Sequence, residues 1–352
     1  MTDLDRTLTV VVTGASGYLG SWIVKTALNR GHRVRGTVRD PDDLRKTQHL
    51  REMPGNERLA LYRADLLESG SFDAAIDGAD VVIHSASPFI RERITDPDTE
   101  LIRPAVEGTR NVLAAVDRAR SVTRVVLTSS VAAIVGDAAE AQAYPDRRVD
   151  ETRWNRTSSR EHEPYSYSKT MAERTAWEIA DARNRWGLVT INPAFIVGPS
   201  LSNRLDGTSV AIMRQIGDGS FRQGAPEIYL GFVDVRDVAA AHVLAAEQGD
   251  LEGRYILSAG MFSFPQIARI LRERIGDAYP FPKGRVPKWL IWAIGPSVGL
   301  TRRYVRANVG IHYEIDNTRS REELGIEYRD IPGTVTEHFR QLIELGAVRP
   351  MR

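Results

Sequence analysis

The chain has no cysteine among its 352 residues. That excludes disulfides, thiolate nucleophiles and cysteine-ligated metals, and it fits a reducing compartment. Its seven histidines show no paired metal-ligand spacing. Charge of one sign is also lacking: 47 Lys and Arg stand against 46 Asp and Glu, with no long basic run, so nucleic acid is not an expected partner. Long apolar runs are missing too. Trp289–Leu300 is the most apolar stretch, with Lys283, Arg285 and Lys288 before it and Arg302, Arg303 and Arg306 after it. It is too short to span a bilayer and is broken by Gly295-Pro296. It is expected to pack inside a lobe, and peripheral membrane contact is the reading not expected. The polar leader Met1–Arg6 precedes the first apolar strand, so no signal peptide is expected and the location is read as cytoplasmic.

What is present is an alternation of short β-like runs and helical stretches. Strands are expected at Thr7–Thr13, His32–Val38, Arg58–Arg63, Ala79–Ile83, Arg124–Thr128 and Leu188–Asn192. Helices are expected at Tyr18–Asn29, Asp42–Glu52, Ser71–Ile76, Asp98–Ala119 and Glu163–Arg185. This order predicts an α/β fold: a Rossmann-type, doubly wound parallel sheet covered on both faces. After Asn192 glycine and proline punctuate shorter elements. Residues 1–192, with 228–248 returning to the main sheet, are assigned to an NADP-binding domain. Residues 193–227 and 249–352 are assigned to a smaller, mostly C-terminal α/β substrate lobe.

The strand Thr9–Thr13 runs into Gly14-Ala-Ser16-Gly17-Tyr18-Leu19-Gly20 and then a helix. Gly14 permits the tight turn, Gly17 lets backbone approach a pyrophosphate, and Gly20 lets helix and strand lie close. Dinucleotide binding follows, with Ser16, Tyr18 and Leu19 in the same turn. The second strand ends at Arg39, with Lys46 after it; two cations converging on a 2′-phosphate favour NADP(H). Asp40 leaves NAD as the rival, and the plain alternative makes Arg39 and Lys46 solvated charges. Asp65 and Leu66 are placed to meet the adenine, unless Asp65 serves as a helix cap.

Tyr165 and Lys169 lie four apart on a predicted helix and so project from one face. An ammonium about 6 Å from a phenol favours the phenolate, and is expected to lower the tyrosine pKa by about two units. With a glycine loop upstream and the strand-end pair Ser129-Ser130, this order of features describes a dehydrogenase site.

The motifs Val12-Thr-Gly-Ala-Ser-Gly-Tyr-Leu-Gly-Ser-Trp22, Thr37-Val-Arg-Asp-Pro41, His84-Ser-Ala-Ser-Pro-Phe89, Val126-Leu-Thr-Ser-Ser130 and Tyr165-Ser-Tyr-Ser-Lys-Thr-Met-Ala-Glu173 carry a family likeness. So do Ile191-Asn-Pro-Ala-Phe-Ile-Val-Gly-Pro199, Phe232-Val-Asp-Val-Arg-Asp-Val-Ala239 and Asp316-Asn-Thr-Arg-Ser320. The chain resembles the extended short-chain dehydrogenase/reductases, in the dihydroflavonol-4-reductase and cinnamoyl-CoA-reductase group with its microbial aldehyde and ketone reductases. The resemblance implies NADPH-dependent reduction of an aldehyde or ketone to an alcohol, with Tyr165 as general acid. It implies that Lys169 also holds the nicotinamide ribose, and that Ser130, rather than its neighbour Ser129, bonds the carbonyl oxygen. It implies further cofactor contacts from Ser85, Ala86 and Ser87. Pro193, Phe195 and Ile196 would position the nicotinamide amide, although Pro193 also reads as a strand terminator.

Two departures bear on the substrate. Flavonoid-specific members carry an asparagine at the position that is Val135 here, and cinnamoyl-CoA reductases carry Asn-Trp-Tyr-Cys-Tyr-Gly-Lys where this chain has Glu163-Pro-Tyr-Ser-Tyr-Ser-Lys169. With Phe89, Ile90, Val135, Phe195, Met213, Phe221 and Tyr229 as lobe candidates, the expected substrate is an apolar small-molecule carbonyl compound. Arg91, Arg93 and Arg204 would argue for phosphates if their loops folded inward. No metal is expected, and the protein is expected to be a monomer or homodimer. The rival readings are an NAD-dependent epimerase, dehydratase or 3β-hydroxysteroid dehydrogenase of the same superfamily, and a non-catalytic NADP sensor.

Overall fold

The computed structural model describes residues 6–87, 95–183, 185–205 and 207–351. In the first half strand and helix alternate: β1 (Thr9–Thr13), α1 (Tyr18–Asn29), β2 (Arg33–Val38), α2 (Leu44–Arg51), β3 (Leu59–Arg63), α3 (Asp73–Ile76) and β4 (Val81–His84). Next come α4 (Arg103–Arg118), β5 (Arg124–Thr128), the short β6 (Arg148–Val149), α5 (Pro164–Arg183), β7 (Gly187–Pro193) and β8 (Phe195–Val197). They are followed by α6 (Thr208–Gly217), β9 (Tyr229–Asp234), α7 (Val235–Glu247), β10 (Gly253–Leu257), β11 (Gly260–Ser263) and α8 (Phe264–Ile275). The remainder holds α9 (Lys288–Ile294), α10 (Arg302–Asn308), β12 (Glu314–Ile315), α11 (Thr318–Glu322) and α12 (Ile331–Glu344).

Seven strands form a parallel sheet in the order β10-β7-β5-β4-β1-β2-β3. Its central strands are apolar on both sides because both faces are covered. Val10 and Val12 join Ile23, Val24 and Leu28 of α1 and Val238, Ala241 and Ala245 of α7. Val11, one residue out of phase, joins Val112, Leu113 and Val116 of α4 and Ala176 of α5. The strand order reverses between β1 and β4, which opens a crevice at their carboxyl ends.

The expected lobe boundaries need two corrections. β9, expected to rejoin the main sheet, instead pairs with β8 and β11 in a separate three-stranded sheet. α7, the helix that follows it, does pack on the main sheet, beside α1. The strand that rejoins is β10, inside the segment assigned wholly to the lobe; its Gly253–Leu257 pairs with Val189–Pro193 of β7. Ile256 and Leu257 are buried there, and an apolar strand of that kind reaches a covered sheet edge more favourably than an exposed lobe surface. Ala194 alone separates β7 from β8, and Ser258 and Ala259 alone separate β10 from β11. Gly231 of β9 lies against both junctions: a Cβ there would stand 2.7 Å from Ser258 Oγ and 2.9 Å from Ala194 Cβ.

The lobe has its own core, in which Met213, Phe232, Phe264, Leu271, Phe281 and Phe339 are buried together. Among the described residues no helix is long and apolar enough to cross a membrane.

Candidate active site

The glycine turn occupies the β1/β4 crevice. Gly14 has φ +67°, and a Cβ there would lie 2.9 Å from Ala86 Cα on the far wall. The Gly17 N–H donates to Gly14 O at 2.9 Å, and a Cβ on Gly20 would come within 2.2 Å of the same oxygen. No side chain caps α1 at Gly17, so its N-terminal dipole faces the crevice unneutralised. Thr13 braces the opposite wall: its hydroxyl accepts from the Ala86 N–H at 3.0 Å and meets His84 Nδ1 at 2.8 Å. Burial, helped by the charge on Lys169, pushes His84 down to about 3, so the ring is neutral and Nδ1 can accept from Thr13. Ser85 donates its hydroxyl hydrogen to Thr13 O at 2.9 Å.

Tyr18 and Trp22 both bond the loop after β8. The Tyr18 hydroxyl donates to Gly198 O at 2.7 Å and the Trp22 indole to Pro199 O at 2.8 Å, tying α1 to the loop after β8. Arg39 is exposed and makes no ion pair among the described residues. Lys46 Nζ lies 3.1 Å from Asp43 Oδ2, which Arg45 also holds. Asp65 accepts the Leu67 N–H at 2.9 Å within a turn; the next helix, α3, begins at Asp73 without a side-chain cap, so Asp65 is not its cap. Leu66, Ala86 and Ser87 line one cavity together with Ser129, Lys169 and Ala172, so the adenine-side and catalytic candidates share a wall.

On α5, Tyr165, Lys169 and Glu173 recur at every fourth residue and share a face. Lys169 Nζ lies 6.0 Å from the Tyr165 ring centre. The expected lowering of the tyrosine pKa is not found: burial pushes Tyr165 up to about 12. Burial also pushes Lys169 down to about 8, partly opposed by the negative charge of Glu173. Desolvation of both groups outweighs their mutual attraction at this separation.

The two serines part as strand alternation requires. Ser129 is buried and donates its hydroxyl hydrogen to the Glu173 carboxylate. Ser130 is half-buried and opens a short 3-10 turn, its Oγ accepting the Ala132 N–H at 3.1 Å.

Glu173, read from the sequence only as part of a family motif, is the centre of a buried polar network. It accepts from Asn192 Nδ2 at 2.8 Å, Thr190 Oγ1 at 3.2 Å and Arg254 Nε at 2.6 Å. Asn192 also donates to Ser130 O at 3.2 Å. Arg254 reaches from β10, donates to Glu151 O at 2.9 Å and stacks 4.0 Å over Trp154. The four-residue step beyond Lys169 was the signal available for Glu173; Arg254 had none.

Pro193 ends β7 opposite Leu257, and Phe195 and Ile196 are half-buried on β8. Phe195 meets Phe232 edge-on at 5.4 Å. Phe221 is half-buried and stacks on Phe264. Two substrate candidates are not so placed: Met213 is fully buried in the lobe core, and Val135 is buried among Ile134, Val149, Ile256 and Tyr313. Phe89, with Ile90, Arg91 and Arg93, lies outside the described residues.

Known proteins resemble the chain along most of its length. The cinnamoyl-CoA reductase CAD2 of Medicago truncatula is 43% identical over 267 residues, 75% of this chain and 80% of that protein. Tetraketide alpha-pyrone reductase 1 of Arabidopsis thaliana is 35% identical over 341 residues, 96% of each chain. Among solved structures, Gre2 from Candida albicans in complex with NADPH superposes with a TM-score of 0.77 at 29% identity, covering 96% of this chain and 99% of that one. The NAD dependent epimerase/dehydratase family matches residues 10–258. With its parallel sheet, glycine turn and Tyr165/Lys169 helix, the chain belongs to this family, the extended short-chain dehydrogenase/reductases.

Proposed function

We propose that the protein is an NADPH-dependent reductase of a free aldehyde or ketone, with Tyr165 as general acid. The observation that carries this reading is the pairing of Tyr165 with Lys169 one helical turn on, the ammonium 6.0 Å from the ring centre. The buried phenol holds the proton that reduction requires, and the nearby ammonium favours the phenolate left when that proton is given up.

The residues present fit a dinucleotide. A Cβ at Gly14 or Gly20 would fill the turn, and the uncapped start of α1 suits a pyrophosphate. Gly14, Ser16, Gly17 and Leu19 would hold the phosphates, Arg39 the 2′-phosphate, Leu66 the adenine side, and Lys169 with the Pro193–Ile196 backbone the nicotinamide end. Bound NADPH supplies hydride to the carbonyl carbon. Tyr165 Oη gives its proton to the carbonyl oxygen, which becomes the alcohol, and solvent reprotonates the phenolate. The Ser130 hydroxyl, which is not spent on Glu173, donates to the same oxygen and fixes its angle; the Ser129 hydroxyl is committed to Glu173. The positive charge of Lys169 stabilises the phenolate as it forms.

The half-buried aromatic side chains Phe195 and Phe221 support an apolar substrate body. A second reading, reduction of a CoA thioester, draws on the cinnamoyl-CoA reductase likeness. Steady-state kinetics with free aromatic and aliphatic carbonyl compounds, their CoA thioesters and UDP-sugars separates the readings. A thioester or nucleotide sugar turned over about tenfold better than every free carbonyl compound overturns the proposed substrate class. Tyr165→Phe is expected to lower kcat by about 10²–10⁴ while NADPH binding, read by fluorescence titration, is unchanged. Retention of half the activity would remove Tyr165 from the mechanism.

A further inference from the structure

Seven large apolar side chains are prominently exposed among the described residues, and three of them sit on α9: Trp289 at 71%, Trp292 at 41% and Ile294 at 49%. The sequence led us to expect this stretch inside the lobe. Instead Ile291 alone of its large side chains is buried, and Trp289 and Trp292, three residues apart, share the opposite face. The start of the helix is tied to α10 and the residue after it: Lys288 Nζ donates to Arg306 O at 3.0 Å and to Val309 O at 2.7 Å.

Charge is segregated around this face. The 36 residues 278–313 contain six Lys and Arg and no Asp or Glu. The whole chain has 47 cationic and 46 acidic side chains, so outside this window acids outnumber bases by five. Lys283, Arg285, Lys288, Arg302, Arg303 and Arg306 are all exposed, and of these Arg285 is paired, with Glu227 at 3.0 Å. The Arg302 guanidinium lies 4.5 Å over the Trp292 ring, which puts cation and indole on the same surface. A second copy of this chain docking patch to patch about a two-fold axis would present the same cations and be repelled.

We infer that α9 and its cationic flanks form a monotopic docking surface for an anionic lipid bilayer. Indole rings favour the depth of the headgroups, and exposed arginines and lysines are attracted to the negative surface potential. A seven-residue helix is far too short to span the membrane, so the protein would lie on it. The inference does not depend on which carbonyl compound is reduced.

Cosedimentation of the full chain with vesicles tests it. The protein should pellet with phosphatidylcholine vesicles containing phosphatidylglycerol, and not with phosphatidylcholine alone. Trp289→Ser with Trp292→Ser, and separately Arg302→Glu with Arg306→Glu, should each lower the partition coefficient by on the order of tenfold or more. Both pairs are exposed, so melting midpoints matching the parent confirm that folding is intact. No pelleting, equal pelleting with both vesicle types, or undiminished binding by the tryptophan pair overturns the inference. So does a dimer, seen by sedimentation velocity, that the tryptophan pair converts to monomer, because the patch would then be a protein interface.

Discussion

Replacing Glu173 with glutamine probes the network beneath the active site. The side chain is fully buried, and the change keeps its shape while removing the charge that faces Arg254 at 2.6 Å, itself only 9% exposed. The guanidinium would be left buried without a counter-charge, and breaking one side of such a pair costs about 3–5 kcal/mol. At about 2.1 cal/mol/K per residue, the 352 residues unfold with an entropy near 0.74 kcal/mol/K. The thermal midpoint should therefore fall by about 4–7 °C. Arg254→Met should cost a similar amount, by stranding the carboxylate among Ser129, Thr190 and Asn192. The double variant strands neither charge and should cost about 1–3 kcal/mol less than the sum of the two. Urea and thermal melts followed by circular dichroism give all three values. A Glu173→Gln cost below about 1 kcal/mol, the range of a solvent-exposed pair, would refute the reasoning, as would strict additivity.

Two further outcomes follow from the site. Lys169 is charged below its pKa of about 8 and neutral above it, so kcat for reduction should fall as pH rises through that value. Lys169→Arg, which stays charged, should lose that alkaline limb while Tyr165 remains protonated throughout; a flat parental pH–rate profile would contradict the assignment. The ratio of kcat/KM for NADPH over NADH should drop by about tenfold or more in Arg39→Ala, the equivalent of a charge-assisted contact of about 1.5–3 kcal/mol. Lys46→Ala should change it much less, because Asp43 already holds that ammonium.

Local patterns were legible. The strand, glycine turn and helix over Thr9–Asn29 lie within one continuous stretch whose steric demands are visible residue by residue, and the structure has them where expected. Tyr165 and Lys169 follow from helical spacing in the same way. What depended on distant partners was not legible. The place of β10 is decided by β7, more than fifty residues earlier, and Arg254 meets Glu173 across 81 residues. Burial also escaped the pattern: spacing gives the Tyr165–Lys169 separation but not the desolvation that raises one pKa and lowers the other. Hydropathy marks Trp289 and Trp292 as apolar without saying which side a neighbour covers. The Lys46–Asp43 contact, by contrast, is a three-residue step that was there to be read.

The short crossings at Ala194 and Ser258–Ala259 stitch the small sheet to the large one twice, and Gly231 fits against both. Even a methyl group at Gly231 would have to spread that seam. Phe195 and Ile196 stand one and two residues beyond Ala194, so covalent chain ties them to the carboxyl end of β7. Their nearness to the crevice edge of the large sheet is thus inherited from β7 itself, whatever the rest of the lobe packs against.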